Sequence, residues 1–216
     1  MKLVDQTRAG LIDYTCAQVA HLIPDGRSAP LRAQVAAHAD EALERVGRCI
    51  DAVRMWRPGE FSYLHSSQYC IYLYYLANSI WRDTGETAAS TRLFLLNKAL
   101  NGIDLFYEIE MPKVFFIGHS VGIVLAKATY GEKLVLYQNS TVGKNHGVSP
   151  VLGEGVVMYP NTAVIGRCTV GDRTVISQGT GLVNRDAPGD CMVFAASNGG
   201  LAFRPAKHDI VGDFFR

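Results

Sequence analysis

The sequence predicts an α+β protein: a helical N-terminal domain followed by a parallel β-helix of hexapeptide repeats. The main observation is a six-residue beat in the C-terminal third, where Leu152, Met158, Val164, Val170, Ile176 and Leu182 fall at every sixth position. Each of the first five is followed four positions on by Val156, Thr162, Cys168, Thr174 or Thr180, and Gly153 and Gly171 sit directly after their apolar residues. A period of six suits neither a helix, which repeats every three to four residues, nor an alternating strand. It suits a coil of short strands in which each rung buries its apolar residue between neighbouring rungs. The second observation is a helical beat before residue 102. Leu31, Val35, Ala39, Leu43, Val46, Ile50 and Val53 recur every three or four positions.

The repeat extends backward. Val124, Tyr130, Leu136 and Val142 lie six apart, with Gly131 and Gly143 in the second slot, so the coil is expected to begin near residue 118. Between Val142 and Leu152 the step is ten, so four extra residues within Gly143 to Pro150 are expected to bulge from the coil. Excursions from a rigid scaffold are favoured places for function, and this one carries Lys144, Asn145 and His146.

In the helical part, Ser28 and Pro30 mark a start, and Trp56-Arg57-Pro58-Gly59 is expected to end that helix. Further helices are expected from about Ser62 to Arg82 and from about Thr87 to Leu100, with Asp83-Thr84-Gly85 between them and Asn101-Gly102 at the end. Tyr72, Tyr74 and Tyr75 read as aromatic core. The domains are expected at 1–102, 103–194 with the loop at 143–150, and a tail at 195–216.

With 48% hydrophobic residues, the 216-residue chain is long enough to build one or two cores. Twenty-one basic against 20 acidic residues and no basic run argue against a nucleic-acid partner. No signal-peptide h-region follows Lys2 and Asp5, and Tyr69 to Trp81 is too short to span a bilayer, so a cytoplasmic protein without a membrane span is expected. Five cysteines without CxxC spacing argue against a disulfide framework or a structural zinc site, and Cys168 falls in an inward slot.

The segment Ile117-Gly118-His119-Ser120-Val121-Gly122-Ile123-Val124-Leu125 resembles the serine acetyltransferase family, in which a histidine opens an "H-x-x-G-I-V-I" stretch. Leu152-Gly153-Glu154-Gly155-Val156 resembles that family's rung after the loop, and the resemblance covers about residues 100 to 190. It implies a left-handed β-helix behind a helical domain, and an acetyl-CoA-dependent O-acetyltransferase with His119 as general base. Histidine suits the role, since its ordinary pKa lets it take a hydroxyl proton near neutral pH. The resemblance places Asp104, fifteen residues upstream, on the carboxylate that orients this histidine, with Glu108 as the alternative. His146 resembles the family's second, acceptor-binding histidine, with Asn145 in place of the usual arginine before it. Gly118 stands where the family has aspartate. With two contacts to a charged amino acid missing, a serine-like amino acid and a sugar hydroxyl both stand as acceptors.

The resemblance also implies that acetyl-CoA lies along the coil wall, near Gly179, Gly181 and Ala195, with Arg204 and Lys207 available to its phosphates. It implies a cyclic trimer or a dimer of trimers. Hexapeptide coils elsewhere hold zinc with three histidines. Only His119 and His146 of the six histidines here lie in the coil, so no metal is expected. A non-catalytic β-helix scaffold is the alternative from another class.

Overall fold

The structure is a computed structural model that describes residues 1–26, 28–197 and 199–216. Of the segment 195–200 read from the sequence, Asn198 lies outside the described residues, as does the side chain of Ser28. The chain forms two compact units, Met1–Asp51 with Trp56–Glu108, and Ala52–Met55 with Ile109–Arg216.

The first unit is helical: α1 (Arg8–Leu22), α2 (Ser28–Ala52), α3 (Ser66–Thr84) and α4 (Thr87–Asn101). The helix α1 escaped the sequence reading although Thr7 caps it, accepting from Gly10 N at 3.0 Å. It buries Leu11, Ile12, Thr15, Cys16 and Val19, and two of these five are only weakly apolar, which blurs the stripe. The stops of α3 and α4 follow the sequence, because Gly85 and Gly102 take left-handed conformations at φ 68° and 62° and close the last turns. A two-residue strand pair, Lys2–Leu3 with Glu60–Phe61, accompanies the helices. Tyr72, Tyr74 and Tyr75 are fully buried, as expected, and desolvation pushes the phenols of Tyr72 and Tyr75 well above their ordinary range. Among the described residues, no helix is long and apolar enough to cross a membrane.

The second unit is a parallel β-solenoid with three faces. One face stacks Phe115–Ile117, Leu134–Leu136, Val157–Met158, Val175–Ile176 and Cys191–Ala195. A second stacks Val124–Leu125, Thr141–Gly143, Ala163–Ile165 and Gly181–Val183, and a third Thr129–Tyr130, Val151–Leu152 and Thr169–Val170. Val157 pairs with Val175 and Ala163 with Gly181, so a regular coil takes eighteen residues, three hexapeptides. The residues of the sixfold beat from Tyr130 to Leu182 are buried. The small slots four positions on are buried as well. There Thr162, Cys168 and Thr174 each donate to the carbonyl three residues back, at 2.8, 3.2 and 2.7 Å. A short side chain with a donor therefore fits the corner and satisfies it.

The frame slips in the first coil. The inward residue is Leu125, paired with Val142, whereas Val124 is 45% exposed. The sequence cannot show this because valine and leucine occupy adjacent positions and either satisfies the beat.

Glycines after the apolar residues form a column in which backbones touch. A Cβ on Gly131 would lie 2.3 Å from the carbonyl carbon and oxygen of Gly153. Gly131→Ala is therefore expected to destabilise by about 3 kcal/mol, read as a lower urea midpoint, because a backbone on the facing rung cannot give way. A midpoint equal to that of the parent chain would contradict this packing.

Beyond the coil, Cys191–Ala195 pairs antiparallel with Leu201–Pro205, and the short helix α5 (Val211–Phe214) follows. The outward residues Val135, Val157 and Val175 are as buried as the inward ones. The tail packs close to this part of the coil. Val211 fills the space above Gly155, and Phe214 lies 5.9 Å from Phe116 and 6.2 Å from Tyr137, centroid to centroid. Phe215 bridges to Val53, and Arg54 N donates to Phe214 O at 2.8 Å. That pairing explains why the helix expected to run to Trp56 stops at Ala52: the next backbone groups belong to the tail.

Candidate active site

The corners that join the first solenoid face to the second have four residues in later coils, 137–140, 159–162 and 177–180. Each turns on a left-handed residue, Asn139, Asn161 or Gly179. The first corner, 118–123, has six and turns on Gly122 at φ 76°. Glycine suits Gly122, which takes a left-handed φ and where a Cβ would press on the Asn139 amide oxygen at 2.0 Å. The two extra residues carry His119 outward, where it is exposed. Gly118 N donates to Leu136 O, Ile123 N to Ser120 O and Asn139 N to Val121 O, at 2.9, 3.2 and 2.9 Å, so the wide corner is anchored on both sides.

The ring of His119 lies 6.2 Å from that of Tyr137. Among the described residues of this unit, no carboxylate bonds the imidazole. Tyr137 stacks on Tyr159 at 5.7 Å and meets Phe116 edge-on at 6.2 Å. Burial raises both phenols above their ordinary pKa, and Asp213 adds to the rise at Tyr159. The sequence reading missed Tyr137. Its sixfold frame aligned Gly118 with Leu136, whereas the structure pairs Ile117 with Leu136 and so places Gly118 against Tyr137.

Asp104 and Glu108 belong to the first unit. The Asp104 carboxylate accepts from Lys98 Nζ at 2.6 Å, and Glu108 is half-buried.

The expected loop at 143–150 is a tight hairpin. Asn145 and Val148 exchange both backbone hydrogen bonds at 3.0 Å, and His146 and Gly147 take φ of 47° and 79° at the turn, the pattern of a primed two-residue turn. Ser149 Oγ donates to Lys127 O at 2.7 Å and pins its base. His146 is exposed at the tip. The hairpin joins the second face to the third, so within one chain the structure does not bring His146 to the corner that carries His119. Asn145 is half-buried against Gly166, where a Cβ would meet it at 2.7 Å.

Gly179 and Gly181 lie on the same edge of the coil as His119, three coils on. A Cβ on Gly179 would meet nothing within 4 Å, and one on Gly181 only the Cβ of Ala163 at 3.9 Å, so the edge is open at these two glycines. Ala195 ends its strand exposed. Arg204 is exposed in the antiparallel strand with its guanidinium 5.8 Å from the Phe194 ring centre, and Lys207 is exposed just beyond. Among the described residues, no three His, Cys, Asp or Glu side chains converge to hold a metal ion.

No family model matches the chain. A putative serine acetyltransferase of Schizosaccharomyces pombe is 25% identical over 123 residues, 55% of this chain and 45% of that protein, so the chain spans less than half the length of that relative. Among solved structures, the serine acetyltransferase of Vibrio cholerae superposes with a TM-score of 0.73 at 18% identity, covering 97% of this chain and 84% of that one. A serine acetyltransferase in complex with CoA superposes at 0.69 with 18% identity, covering 91% and 85%. The fold, helical region and parallel solenoid together, is that of serine acetyltransferases.

Proposed function

We propose that this chain, which carries the serine acetyltransferase fold, is an acetyl-CoA-dependent O-acetyltransferase acting on a small hydroxyl acceptor, with His119 as general base. The observation that carries the reading is an exposed histidine on the widened first corner between the first and second faces. A histidine serving only as packing would sit in a four-residue corner like those below it.

The imidazole of His119 would accept the acceptor's hydroxyl proton as that oxygen attacks the acetyl carbonyl, and would return the proton to the departing thiolate. The product is an acetyl ester and the free thiol, with no covalent enzyme intermediate. From His119 to Gly179 the edge runs three rung spacings of about 4.8 Å each, and the open space beside Gly179 and Gly181, away from Tyr137, is where we place the pantetheine arm. Arg204 and Lys207 are the cations we assign to the CoA phosphates. Asn145 and His146 are assigned to the acceptor side of a site completed by another subunit of a trimer or a dimer of trimers.

A neutral imidazole works best when a carboxylate fixes its tautomer, and the sequence offers Asp104 and Glu108 for that role. Asp104→Asn is expected to lower kcat about 100-fold with little change in the KM for acetyl-CoA, followed as thiol release. Glu108→Gln is expected to stay within a few-fold of the parent. The reverse ranking would assign the orienting role to Glu108. Absence of acetyl-CoA binding in calorimetry would remove the acetyltransferase reading and favour a scaffold.

A further inference from the structure

The residue before His119 has no side chain, and the structure shows what takes that room. A Cβ on Gly118 would lie 2.6 Å from Cε1, 2.9 Å from Cδ1 and 3.0 Å from Cζ of Tyr137. The ring of the next rung therefore covers Gly118 and stands beside the imidazole. Tyr137 is held in place by Tyr159 stacked against it and by Phe116 and Phe214 edge-on. It is a fixed wall of the corner.

The polar groups on this edge are neutral. Asn139 Nδ2 donates to Asn161 Oδ1 at 2.9 Å, forming an amide ladder directly below Gly122. Among the described residues of the second unit, no charged side chain bonds to His119 or to the hydroxyls of Tyr137 and Tyr159. The charge felt by Tyr159 is that of Asp213, whose carboxylate is also 3.2 Å from His208 Nε2. A free amino acid brings an ammonium and a carboxylate, and desolvating either without a partner is costly. A neutral polyol brings hydroxyls, which amides and a phenol can match, and C–H groups, which suit aromatic rings.

We infer that Tyr137 is an acceptor-selecting residue and that the hydroxyl acceptor is a neutral saccharide rather than a free amino acid. The inference rests on the acetyltransferase reading above. The ring excludes a side chain at Gly118 and presents an uncharged surface to whatever hydroxyl reaches His119.

The test is thiol release from acetyl-CoA by the full chain with L-serine, methyl glucopyranoside, methyl galactopyranoside and N-acetylglucosamine, together with calorimetry of acetyl-CoA binding. At least one saccharide is expected to exceed L-serine by about tenfold or more in kcat/KM. Tyr137→Leu, which keeps most of the packing volume, is expected to raise the saccharide KM about tenfold while the KM for acetyl-CoA and kcat stay within about twofold, a split that a general loss of structure does not produce. L-serine turnover equal to or above that of every saccharide overturns the inference and leaves the acetyltransferase reading standing, as does an unchanged saccharide KM in Tyr137→Leu. Bound acetyl-CoA without release to any saccharide also counts against the inference. Failure to bind acetyl-CoA overturns both readings.

Discussion

His119→Ala is expected to reduce acetyl transfer by about 100- to 10,000-fold, the range that a positioned general base contributes, while leaving the thermal midpoint within about 1 °C of the parent. The two halves of this expectation have separate causes. The imidazole is exposed and bonds no carboxylate of its unit, so its removal leaves no cavity and, within that unit, no orphaned partner. The corner keeps its shape through backbone bonds from Gly118, Ile123 and Asn139, which the substitution does not touch. The loss should fall on kcat, because the proton is taken in the transition state rather than on binding. Thiol release measured beside a melting curve decides the matter. Equal rates in both proteins would remove His119 from the chemistry, and a large fall in the midpoint would mean the residue serves the fold.

Phe214→Ala is expected to cost about 3 to 5 kcal/mol, the range for emptying a buried aromatic site. Phe214 is 7% exposed and meets Phe116 and Tyr137, and its carbonyl accepts from Arg54. Its ring packs on one side of the wall beside His119. A second consequence follows: because Phe214 is one of the rings that hold Tyr137, acceptor KM should rise at temperatures where the variant is still folded. Equilibrium urea unfolding gives the first quantity and steady-state kinetics the second. A loss below about 1 kcal/mol would mean that the tail lies on the coil without stabilising it.

The slip in the first coil shows where pattern reading reaches its limit. A beat of six tolerates an error of one residue when neighbouring positions are both apolar, as at Val124 and Leu125. One residue of slip turns the side chain to the other side of the wall, since neighbouring strand residues face opposite ways. That error hid the pairing of Gly118 with Tyr137, and with it the most specific feature of the candidate site. The four-residue excursion, by contrast, was fully legible. An insertion cannot be absorbed by a rung whose neighbours fix its length, so its position followed from counting, and the hairpin at Asn145 to Val148 is the result.

The sequence by itself determined the properties that repeat or act locally. The solenoid follows from the sixfold beat, the corner slots from small side chains that bond their own backbone three residues back, and the stops of α3 and α4 from glycines that adopt left-handed conformations. The motif around His119 also marked it as the candidate base from sequence alone. Only the tertiary structure decided the rest. It ended α2 at Ala52 by giving the next backbone groups to Phe215, brought the tail against the coil, and set Tyr137 over Gly118. Each of these joins residues distant in the chain through contacts that no local period encodes. Such pairings are fixed by the register and packing of whole elements, not by the preference of any one segment.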